Sequence, residues 1–65
     1  MINAATLKVG DHLQSPAGSY GRVIRIENGT VFATYRDRGG DWQATYTPEW
    51  FKRYGDLLRR MERPA

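Results

Sequence analysis

The chain has 65 residues, no cysteine, one histidine, and ten basic against seven acidic residues, for a formal charge of +3. That length makes one domain, which buries only about 60% of its unfolded surface. It leaves no disulfide, no thiolate metal site and no multi-histidine metal site within one chain. The basic excess is mild, permitting an anionic partner without requiring one.

Met1–Lys8 is a lead-in of weak structural preference. It has no positive cluster ahead of an apolar core, so it is not expected to act as a signal peptide. No run is long and apolar enough to span a membrane, and a cytoplasmic setting is expected. Val9-Gly10-Asp11 reads as a turn into a first strand, His12–Ser15. Ser15–Ser19 is a loop punctuated by Pro16 and Gly18.

The central element is a β-hairpin. The β-rich runs Arg22–Glu27 and Thr30–Tyr35 flank Asn28-Gly29, two residues that tolerate the positive φ of a type I′ turn. That chemistry also explains Asn28-Gly29-Thr30 better than a glycosylation sequon does. Gly18 and Gly21 bracket Tyr20, which predicts a sharp bend or a close approach to another strand. Arg36–Asp41, polar and glycine-rich, is expected to close a second hairpin onto a strand at Trp42–Thr47.

A helix is expected next. Thr47 suits the N-cap, Pro48 the first helical position and Glu49 the positive helix end. Trp50, Tyr54, Leu57, Leu58 and Met61 recur at helical spacing and predict one apolar stripe, with Gly55-Asp56 as a break and Pro64 as the stop. Four short antiparallel strands must curl to bury a face. The expected fold class is therefore mainly β: a small, partly open antiparallel barrel over about residues 9–47, with a helical C-terminal segment over about 48–63.

Two clusters carry the functional expectations. Arg22 and Arg25 on the hairpin join Lys52, Arg53, Arg59, Arg60 and Arg63 as cations able to neutralise phosphates, the last five on the outer face of the helix. Tyr20 and Tyr35 are the aromatics expected at the surface, where bases stack. Trp42, Tyr46, Trp50 and Phe51 are expected to serve mostly as core, because a small domain needs large side chains to fill it. Asp37, Asp41, Glu49 and His12 match no catalytic spacing. No catalytic residue, metal site or cofactor is expected.

Val9-Gly10-Asp11, Ser15–Val23, the Asn28-Gly29 hairpin and Tyr46-Thr47-Pro48-Glu49 together resemble an SH3-like small barrel of bacterial type. The layout is similar to KOW and Tudor-like modules, in which a strand follows a glycine loop. The resemblance implies binding of RNA, proteins or peptides. The chain also looks like the plasmid-borne type II dihydrofolate reductases, tetrameric barrels with a pore-lining Gln-Ile-Tyr segment. The nearest stretch here, Gln43-Ala44-Thr45-Tyr46, departs from that segment. The leading expectation is a non-enzymatic module that contacts nucleic acid through the basic helix and the hairpin arginines. A protein-interaction module or homodimer comes second, and a reductase-like oligomeric enzyme third.

Overall fold

The computed structural model describes residues 6–61. Its centre is the hairpin of β2 (Tyr20–Glu27) and β3 (Thr30–Asp37). Asn28 and Gly29 connect them with φ of 51° and 78°, the two positive values that a type I′ turn requires. A second hairpin leads into β4 (Gly40–Tyr46), as the polar loop predicts. Asp37 organises that turn by accepting the Gly39 N–H at 2.8 Å. Before β2 come β1 (His12–Gln14) and a loop closed by Ser15, whose Oγ accepts the Ser19 N–H at 3.0 Å.

The strands form one antiparallel sheet in the order β4-β3-β2-β1-β5, where β5 is Arg59–Met61. The two ends of the sheet do not pair, so the barrel is partly open. On β3 the residues alternate cleanly, with Val31, Ala33 and Tyr35 buried and their neighbours on the opposite face. On β2 the alternation breaks. Val23 pairs Ala33 while Arg25 pairs Phe32, leaving Ile24 as the surplus residue of a β-bulge. The bulge lets Val23 and Ile26, three residues apart, share the inner face, and it bends the strand. Gly21 pairs Tyr35, and a Cβ there would overlap the Thr34 carbonyl oxygen. This is the close strand approach that the glycine spacing predicts.

The core joins Leu7, Leu13, Val23, Val31, Ala33, Tyr35, Tyr46, Phe51 and Leu58. Helix α1 (Pro48–Tyr54) starts as read: Thr47 Oγ1 accepts the Trp50 N–H at 3.1 Å and Pro48 occupies the first turn. Its Phe51 is buried in the core. The expectation of a helix over about 48–63 is corrected here. α1 stops at Tyr54, passes through a 3-10 turn at Gly55–Leu57, and extends into β5 against β1. Gly55 weakens a helix by about 1 kcal/mol, and β1 supplies backbone partners that a helix would leave unused. Leu58 is 3% exposed while Leu57 is 52% exposed, so the apolar stripe is not one helical face. Arg63 and Pro64 lie outside the described residues. No helix among the described residues is long and apolar enough to cross a membrane.

Candidate functional site

Pairing register places two rows of side chains on the outer face of the sheet, since directly opposed residues share a face. One row runs Met61–His12–Arg22–Thr34–Gln43 across all five strands. The next runs Arg59–Gln14–Tyr20–Arg36–Asp41. A groove of about 570 Å³ opens over part of these rows, with His12, Tyr20, Arg22, Thr34, Arg36 and Asp41 in its lining and Gln14, Gln43 and Arg59 outside it. Tyr20 is 61% exposed, so its ring is available as a stacking face.

Two of the expected cations, Arg22 and Arg59, are thus brought onto the same face as Tyr20. Arg25 also lies on this face, opposite Phe32. Its guanidinium sits 4.4 Å from the centre of the Phe32 ring and 2.9 Å from Glu27, so it is already engaged. Arg60 pairs Leu13 rather than an outer-row residue, and its Nε lies 3.7 Å from Asp11. Lys52 and Arg53 occupy the last turn of α1, where they complement the negative helix end. Neither lines the groove. Lys52, Arg53, Arg59 and Arg60 therefore do not form one helical face: Arg59 and Arg60 are on a strand, pointing to opposite sides of it.

Tyr35 is also corrected. Expected at the surface, it is 1% exposed, because its position on β3 has inward parity. Its hydroxyl is hydrogen-bonded to that of Tyr46 at 2.7 Å, and its ring stacks on Trp42 with centroids 4.6 Å apart. Burial pushes both phenols above the ordinary tyrosine value, and for Tyr35 the Tyr46 hydroxyl adds to the rise. Trp42, expected mostly as core, is instead exposed, and it donates from Nε1 to Asp37 Oδ2 at 2.7 Å.

Sequence reasoning missed the acidic end of the groove. Arg36 Nε donates to Asp41 Oδ1 at 2.9 Å across the second hairpin. This hydrogen bond and the opposite charge hold Asp41 below its usual carboxylate value and raise Arg36 further. Asp41 therefore stays an ionised acceptor. The signal was present in the spacing, because a two-residue turn at Arg38-Gly39 sets Arg36 opposite Asp41 by counting. No cluster of three or more potential metal ligands occurs among the described residues.

Comparison with protein-family models, with curated proteins and with solved structures finds no match to this chain.

Proposed function

We propose that this chain is a small binding module that contacts single-stranded nucleic acid across the outer face of its sheet. The observation that carries the reading is the register that puts exposed Tyr20 on one face of the sheet with Arg22, on its own strand, and Arg59, two strands away. An aromatic ring beside cations is the combination that binds single strands, with bases stacking and phosphates neutralised. The SH3-like resemblance, with RNA-binding KOW modules among its relatives, agrees with this reading. It moves the interface from the C-terminal segment to the strands, in a cytoplasmic setting where single strands are within reach.

The test is fluorescence anisotropy of labelled mixed-sequence single strands at low and near-physiological salt. Salt-steep binding is expected, and Arg22→Ala/Arg59→Ala should lower the slope by about 0.7 per lost phosphate contact. Absence of binding at low salt, where attraction is strongest, overturns the reading.

A second reading has its own observation. β4 is a seven-residue edge strand with no proline, and such an edge can pair with a peptide or a second copy. Concentration-dependent dimerisation in analytical ultracentrifugation, without nucleic-acid binding, would favour it.

A further inference from the structure

The Arg36–Asp41 pair has a chemistry that the phosphate contacts do not use. Asp41 Oδ1 accepts from Arg36 Nε, which occupies one of the roughly four lone-pair sites of the carboxylate. Arg36 has engaged Nε alone, so its two Nη groups remain donors. With the carboxylate's two oxygens first and a guanidinium Nη group last, the pair can present acceptor, acceptor, donor. That is the order on the pairing edge of cytosine, and guanine complements it with two adjacent donors, N1–H and the N2 amine, followed by the O6 acceptor. Adenine offers one exocyclic donor beside an acceptor nitrogen. Uracil and thymine flank one donor with two carbonyls. An ionised carboxylate accepts only, so guanine alone presents two adjacent donors to its two oxygens, whereas cytosine, like adenine, offers one exocyclic amine beside an acceptor nitrogen and uracil and thymine one ring N–H.

The fold puts this pair where a base would lie. Tyr20 is directly opposite Arg36, and Arg36 is directly opposite Asp41, so ring, guanidinium and carboxylate sit on three adjacent strands about 5 Å apart. All three line the groove. A second exposed guanidinium–carboxylate pair on the sheet, Arg25 with Glu27, lies beside Phe32 and outside the groove lining.

We propose that the Tyr20–Arg36–Asp41 end of the groove is a guanine-preferring base site, with Tyr20 stacking on the base and the Asp41–Arg36 pair reading its Watson–Crick edge. This rests on the single-strand reading above and adds base selection to it.

The experiment uses the full chain and oligothymidylate strands of about ten nucleotides with one central guanine, inosine or adenine, followed by anisotropy at low salt. Guanine is expected to bind about tenfold tighter than adenine, with inosine, which lacks the N2 amine, in between. Asp41→Asn, checked as folded by circular dichroism, should abolish the preference while leaving overall binding in place. Glu27→Gln, the control on the second pair, should keep it. Equal binding of the three strands by the wild type overturns the base site and leaves the single-strand reading intact. Absence of binding to any strand overturns both. The inosine arm changes the ligand rather than the protein, so the result does not depend on any variant folding.

Discussion

At Asn28-Gly29 the chain reverses because two adjacent residues accept positive φ. From Arg59 it extends because β1 lies alongside with backbone groups to pair. The first region is specified within a few residues. The second is specified by a partner more than forty positions away in the chain. The hairpins hold their register under local rules, whereas the β1–β5 seam exists only when the rest of the sheet is in place. A local change should therefore damage the hairpin in proportion to the turn. A change at the seam should act through the core.

The largest expected effect tests the seam. Leu58→Ala should lower stability by about 2–5 kcal/mol, enough to unfold so small a domain. Leu57→Ala should stay within about 0.5 kcal/mol, because Leu57 is mostly exposed. Urea denaturation of the two variants decides this, and equal losses would restore a helix in place of β5. Next comes the turn. Gly29→Val puts a β-branched residue at φ 78°, where strain of about 1–3 kcal/mol is expected. A hairpin that tolerates valine there without a change in midpoint is not held by its turn.

A smaller, pH-dependent effect tests the core beneath the hairpins. Tyr35 and Tyr46 titrate higher in the folded chain than in the unfolded one. Folding thus favours their neutral forms, and their contribution is complete below pH about 10, the unfolded tyrosine value. It falls as the pH rises beyond that, by at most about 1.4 kcal/mol per unit for each phenol. Tyr35→Phe/Tyr46→Phe removes both partners together and should flatten the alkaline slope in thermal melts. A slope unchanged by the double substitution would mean that the loss arises elsewhere. A modest effect is expected at the helix start, where Thr47→Ala should lower the denaturation midpoint by the equivalent of about 1 kcal/mol.

How much was legible follows the same division. Both turns, the Thr47 cap, the close approach at Gly21 and the partly open β architecture were readable, because each depends on a few neighbouring residues. The helical stripe from Trp50 to Met61 misled, since apolar spacing does not report whether an edge strand is waiting to be paired. Tyr35 misled for a related reason. A tyrosine near an arginine suggests a surface, but face is set by parity along β3, and parity has to be counted from the turn. The same count would have revealed Arg36 opposite Asp41. For Tyr20 it needed one more fact, the surplus residue in β2, which the adjacent Val23-Ile24 hints at without locating.

That surplus residue has a consequence for how the chain tolerates changes in length. The bulge at Ile24 is a reserve of one residue. Loss of one residue from 22–24 draws on the reserve by straightening the ladder, and Tyr20 stays opposite Arg36 while Gly21 stays opposite Tyr35. Gain of one residue has no such reserve. It turns the start of β2 over, sending the Tyr20 ring inward and moving the glycine away from the carbonyl of Thr34 that only a glycine can approach. Related chains should therefore shorten this strand more readily than they lengthen it.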